Sequence, residues 1–379
     1  MRLQRVRLRA AALVAAVVSG VLLIPQTTAT ASNCGGGSFH AEAYSSGGTW
    51  TARRGGSVVY TGTDMRSAVQ AAINSLTPNR SSKERVMVWQ GGTISAGARI
   101  SLPSHTILDS CGTIAVSGSG SGDMAPVYSR GTTNVEVARL FVTGTPVYGI
   151  FMRNVTNVSL GQIDMRLSRG LGVRIDNRGD TSQRSRNITI NSVYVSGASS
   201  HAVETYGVDG ITIGTVTARS VGESGLLLND TINATVGTVD AQNAGSGTGY
   251  AAFRVANRNG RVNNAYPTNI RVGTVKATGG GRGVFCVSES GGLVIDRVEL
   301  SNTGNNAILI ENCYNVSVSG GWVSGGGEIR LAARSEFPNN NGIYLRNLTV
   351  TNQTIRESPC GVNTEFQNIT MNNSSWAVC

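Results

Sequence analysis

The stretch NITINSVYVSGASSHAVETY, Asn187–Tyr206, decides the fold. It opens on asparagine and reads as three short strand candidates, Asn187-Ile-Thr-Ile, Val193-Tyr-Val and Ala202-Val-Glu-Thr-Tyr, broken by small polar residues and glycine. Alternating apolar and polar positions in runs this short are strand patterning, with every second side chain on the same face. One such unit has an apolar inner face and nothing of its own to bury it against. It needs neighbours built the same way.

Those neighbours are in the chain. A small polar residue or glycine followed by alternating apolar positions also begins segments at Asn134, Asn157, Gly210, Asn233, Asn269, Gly292, Asn315 and Gly342. With Asn187 included, the spacings are 23, 30, 23, 23, 36, 23, 23 and 27 residues. A period near 23 matches one full coil of a parallel β-solenoid, in which each coil hydrogen-bonds to the next. The sequence therefore predicts an all-β chain, a parallel β-helix with three strands per coil and hence three sheets. Asparagine suits the coil boundaries because it tolerates left-handed backbone and its amide can ladder onto the next coil. The Asn-X-Ser/Thr triplets there read as turn chemistry before glycosylation acceptors.

The N-terminal 31 residues read as an export signal, with Arg2, Arg5, Arg7 and Arg9, an apolar run from Ala10 to Ile24 and the small-residue site Ala29-Thr30-Ala31. The division is then 1–31 signal and 32–379 a single β-helix domain, secreted to the extracellular space. No later apolar stretch approaches the roughly 20 residues of a membrane span. Removing the four signal arginines takes the formal charge from +10 to +6, and the only lysines are Lys83 and Lys276. No basic cluster interleaved with aromatics suggests nucleic acid.

All six cysteines lie in the exported part, which favours disulfides. Sequence order suggests Cys34 with Cys111, Cys360 with Cys379, and Cys286 with Cys313 in adjacent coils. No two cysteines stand at zinc-finger spacing, and only His40, His105 and His201 could assist a metal. The runs Gly279–Gly281 and Gly325–Gly327 fall at turns without a following helix, which argues against phosphate binding. No Gly-X-Ser-X-Gly elbow stands in suitable context.

Ahead of the repeats, Thr63-Asp64 precedes Met65, Ala68, Val69, Ala72, Ile73 and Leu76, an amphipathic helix with an N-cap and Pro78 beyond its end. Placed at the end of a solenoid, it would cap the first coil's apolar face and open strand edges. This phrase, the strands and glycine turn after it, the Leu102-Pro103-Ser104 segment and the coils from Asn134 to Thr364 resemble the entry and body of the pectate-lyase-like superfamily. The resemblance implies a right-handed parallel β-helix. It also implies a polysaccharide lyase, glycoside hydrolase, epimerase or adhesin, since one fold carries all of these. The clustered aspartates of the superfamily's polygalacturonases are not found residue for residue.

Aligning the third strand of each coil assigns inward and outward positions. Thr205 and Arg254 emerge as polar exceptions on the inner side. One outward column runs Phe151, Arg174, Glu204, Leu227, Phe253, Phe285, Leu309, and the next Arg153, Asp176, Tyr206, Asn229, Val255, Val287, Glu311. The position before the strand adds Tyr148, His201, Tyr250 and Arg282, and a turn adds Glu223. From strand spacings, Arg174 should lie near Glu204, with Asp176 about 8 Å diagonally away. Insertions at 177–186 and 256–268 should rise beside this face as walls of a groove.

The expected catalytic set is Arg174, Asp176, His201, Glu204 and Tyr206, and the expected substrate contacts are Tyr148, Arg153, Glu223, Asn229, Asp230 and Tyr250. Two mechanisms fit. In a lyase, His201, Tyr206 or Arg174 removes the proton α to a uronate carboxylate, and Tyr206 can protonate the leaving oxygen. In a hydrolase, Glu204 and Asp176 act as acid and base. The family resemblance and the mixed base, cation and tyrosine set put the lyase first, with a non-catalytic carbohydrate-binding protein as the alternative of another class. No cofactor is expected; Glu223 and Asp230 could hold calcium, but the carboxylates are scattered. The expected partner is a polysaccharide, with neither nucleic acid nor membrane, and the chain is expected to be a monomer.

Overall fold

The structure, a computed structural model, describes Cys34 and residues 36–379. The expected export signal lies outside the described residues. No helix among the described residues is long and apolar enough to cross a membrane.

The fold is the parallel β-helix that the repeats predict. The first apolar position of each phrase stacks on the next, Val135 on Val158, Ile188, Ile211, Ala234, Ile270 and Leu293 in turn, always in parallel register. These side chains are 0 to 2% exposed, so each coil completes the core of its neighbour. At eight of the nine phrase starts, all but Asn269, the residue has positive φ, between 52° and 82°. That explains why asparagine and glycine share the position. The amides ladder as expected, Asn187 donating to Asn157 Oδ1 at 3.0 Å and Asn157 to Asn134 Oδ1 at 3.2 Å.

The first two strands of a coil run together as one bent strand, as in Thr156–Leu167, Ser185–Ser196 and Val208–Arg219. The bend is a slip in alternation. Ile188 and Ile190 point inward, then Val193 and Val195, leaving Asn191 and Ser192 both outward. The third strand is short, as in Leu171–Asp176, Val203–Tyr206, Leu226–Asn229 and Phe253–Ala256.

The predicted helix α1 spans Met65–Asn74, with Asp64 accepting from the Ser67 amide and Met65, Ala68, Val69, Ala72 and Ile73 buried. It packs on the strands of the first coils. A meander of Ala41–Ser46, Thr49–Arg54 and Ser57–Gly62 accompanies it, antiparallel within itself and joined in parallel to Glu84–Val88. The sequence reading passed over these strands. All three suggested disulfides are present, with Cα separations of 5.6 Å for Cys34–Cys111, 6.3 Å for Cys286–Cys313 and 5.7 Å for Cys360–Cys379.

One register needs correction. Arg254, not Phe253, stands beside Leu227 and Phe285 in the outward column, while Phe253 is fully buried. The next column accordingly continues from Asn229 to Ala256 rather than Val255. Displacing the coil by one residue puts phenylalanine in the core and the guanidinium outside, as burial energetics require. Thr205 does point inward, and its hydroxyl is satisfied by Thr231 Oγ1 at 2.9 Å.

Candidate active site

Three neighbouring third strands, Tyr148–Arg153, Leu171–Asp176 and Val203–Tyr206, and the turns leading into them and into Leu226–Asn229 build one open cavity of about 280 Å³. Tyr148, Arg174, His201, Glu204 and Glu223 line it, with Leu171 and Ser200. The expected contact between Arg174 and Glu204 is present, Nη1 to Oε2 at 2.6 Å. The partners pair directly across the strand interface, so the distance follows from register.

Arg174 also binds Asp176, Nε to Oδ2 at 3.0 Å. Asp176 accepts in addition from Arg153 Nη2 at 2.8 Å and from Arg153 Nε, and Arg153 reaches on to Asp123 at 2.7 Å. The result is a ladder across the face: Asp123, Arg153, Asp176, Arg174, Glu204. Asp176 is 0% exposed. Burial raises its pKa, but the hydrogen bonds and charges of Arg153 and Arg174 outweigh that and hold it below the ordinary value. An ionised carboxylate closed on both sides by guanidinium cannot exchange protons with a substrate, so Asp176 leaves the expected acid/base pair and anchors Arg174 instead.

Arg174 is not the base either. Burial lowers its pKa, but Glu204 and Asp176 more than reverse this, and it stays a cation.

His201 is engaged at both ring nitrogens. Nδ1 accepts from the Ser224 amide at 3.0 Å, and Nε2 lies 3.0 Å from Glu223 Oε2. These partners assign the proton to Nε2, leaving no free lone pair, so His201 does not serve as the base. Its neighbour Glu223 accepts from His201 first, then from Ser200 and Tyr250. These bonds outweigh burial and take its pKa to about 2. Glu223 is a permanently ionised hub that holds the edge-on pair His201 and Tyr250, 5.8 Å apart.

Two acids of another kind remain. Burial raises the pKa of Tyr148 and of Tyr206, in each case against the charge of Arg174, so both hydroxyls stay protonated. Tyr206 therefore keeps its proton, and it stands at the C-terminal end of its strand, outside the cavity lining. Glu204 differs from the other carboxylates. It is 6% exposed, and while Oε2 meets Arg174, Oε1 takes no hydrogen bond among the described residues.

The remaining expected contacts have structural roles. Arg153 is consumed in the ladder. Asp230 is buried and accepts from the Asn259 backbone amide at 2.8 Å and side-chain amide at 3.1 Å, fixing the second insertion. Asn229 lies on the strand beyond Tyr206, outside the cavity lining. Glu223 and Asp230, the carboxylates suggested for calcium, each serve separate protein donors. Among the described residues no group of three or more His, Cys, Asp or Glu side chains converges as metal ligands would.

Nor do the insertions wall the cavity separately. Arg184 of the first donates to Asp230 O at 2.6 Å and to Asn259 O of the second at 2.9 Å, joining the two over the C-terminal ends of the strands. The cavity opens at the opposite, N-terminal ends. Asp123 and Arg184 were missed in the sequence because both lie in loops, outside the aligned strand columns, with partners 30 and 46 residues away.

No protein-family model matches the chain, and no curated protein matches it. Among solved structures it is similar to a family 28 exopolygalacturonase of Yersinia enterocolitica, with 12% identity over 87% of this chain and 82% of that one and a TM-score of 0.49. It is also similar to the A-module of the mannuronan C-5 epimerase AlgE6 of Azotobacter vinelandii, with 11% identity over 82% and 95% and a TM-score of 0.36. Likenesses this distant say nothing of the chemistry in the cavity, which rests on this chain's own side chains.

Proposed function

We propose that this protein is an exported polysaccharide-degrading enzyme that cleaves a uronate-containing glycan by β-elimination in the cavity around Glu204. The observation that carries the reading is the state of Glu204, with one carboxylate oxygen on Arg174 and the other without a hydrogen bond among the described residues. In this scheme Glu204 takes the proton α to the uronate carboxylate, and the electrons of that C–H bond form the new double bond. The bond to the β oxygen breaks, and Tyr148, the protonated hydroxyl that lines the cavity, donates its proton to the departing oxygen. Arg174 offsets the negative charge that builds up on the uronate. Tyr148 offers the sugar an aromatic wall.

Two-carboxylate hydrolysis is less well supported, because it requires a second carboxyl that can cycle its proton, and neither Asp176 nor Glu223 is placed to do so. A second reading, a non-catalytic glycan-binding protein, is favoured by the same saturation: Asp176, His201 and Glu223 are already satisfied within the protein. Incubation with a glycan panel separates these outcomes. Ultraviolet absorbance from an unsaturated uronate supports the lyase, reducing ends without that absorbance mean hydrolysis, and retention without cleavage means binding alone.

A further inference from the structure

Charges on this face are paired almost everywhere. Arg153, Arg174, Asp176, Glu204 and Glu223 all have partners within the protein. Two guanidiniums in the coils just beyond have no ion pair among the described residues. Arg254 makes no hydrogen bond or ion pair among the described residues, and its Nε is buried without a partner. Arg282 is 7% exposed, and its Nε donates to Asn306 Oδ1 at 3.0 Å. Its Nη1 is buried and unpaired.

Both lie against one ring, the guanidinium carbon of Arg254 5.4 Å and that of Arg282 4.6 Å from the centre of Phe285. Burial lowers the pKa of each, and Arg254 lowers that of Arg282 further by like-charge repulsion. Desolvating two cations side by side is costly, and the charges of Glu204 and Glu223 near Arg254 and of Glu311 near Arg282 offset it only in part. An oxyanion is the ligand that would offset the rest, since it accepts from several guanidinium N–H groups at once. Position over an aromatic ring also helps hold guanidiniums in place for such a partner.

The pair sits on the proposed substrate path. Glu204, Leu227 and Arg254 are successive rungs of one column, so Arg254 stands two coils, about 9–10 Å, from Glu204. Arg282 lies one coil further, where Arg254 is paired with Phe285. We propose that Arg254 and Arg282 bind an oxyanion of the glycan, a carboxylate or a sulfate ester, at a subsite beside the one where cleavage is proposed. This deepens the functional reading and rests on it for the identification of the ligand as a glycan.

The experiment is calorimetric titration of the full chain carrying Glu204→Gln with oligogalacturonate, sulfated galactan oligosaccharide and neutral galactan oligosaccharide. The background is compared with and without Arg254→Gln and Arg282→Gln. The expected result is binding of at least one anionic probe that weakens about tenfold or more in each arginine variant, falls with salt, and exceeds binding of the neutral probe. Whichever anionic probe binds identifies carboxylate or sulfate. The thermal melt of Arg254→Gln should match or exceed the parent, because the change removes a cation with no hydrogen bond or ion pair among the described residues; a merely structural arginine would lower it. Anionic binding indifferent to both arginines, or absent with both probes, overturns the proposal. If no glycan is cleaved by the unmodified protein while arginine-dependent binding persists, the catalytic reading fails and this one stands.

Discussion

Glu204 and Asp176 are both carboxylates beside Arg174, yet their substitutions should have opposite consequences. Glu204→Gln keeps an acceptor for Arg174 but cannot take a proton, so kcat should fall about 10²- to 10⁴-fold with little change in the thermal melt. Asp176→Asn leaves Arg153 and Arg174 facing a neutral amide in a fully buried position. Denaturant titration should show a loss of about 3–5 kcal/mol. Glu223 gives a pH signature. Its folded pKa of about 2 is below the ordinary 4.5, so its contribution to stability is complete above pH 4.5 and is lost as pH falls toward 2. Melting temperature should drop through that window in the parent and change less in Glu223→Gln; equal slopes in the two proteins would remove the hub from the account.

At the level of the coil, the boundary asparagines do two things at once. Asn157 holds φ of 56° and links Asn134 below to Asn187 above. Asn157→Gly keeps the backbone and loses the ladder; Asn157→Ala loses both. The alanine variant should therefore be less stable than the glycine variant by about 1 kcal/mol, read from paired melts. This double duty is also why the architecture was legible in the sequence: one position per coil admits only asparagine or glycine, and it recurs. The site was legible where the third strands align by their own pattern, as in Arg174 beside Glu204, even across a coil of 30 residues. It was misread where an insertion changes the count, because Arg254 follows a long turn and a slip of one residue exchanges inside for outside. Hydrogen-bond saturation, which removed His201 and Asp176 from proton transfer, depends on the Ser224 amide and on Arg153. Residue type alone does not reveal that.

Across the whole chain, stability is distributed along the stack rather than concentrated in one centre. The bond between Cys286 and Cys313 ties adjacent coils well inside it, across 27 residues. Replacing both cysteines by alanine should cost about 3 kcal/mol and lower the melting temperature under oxidising conditions. A reducing agent should then have less effect on this variant than on the parent. The column Glu204, Leu227, Arg254 carries a consequence for how such a protein changes over generations. The rung between the two charged residues belongs to a complete coil, so a deletion in register would draw them together by one strand spacing, about 4.8 Å. A duplication would part them by the same step. Selectivity for the interval between a labile bond and a remote charge can thus be retuned in whole notches, by copying or dropping chain segments, without reworking either end.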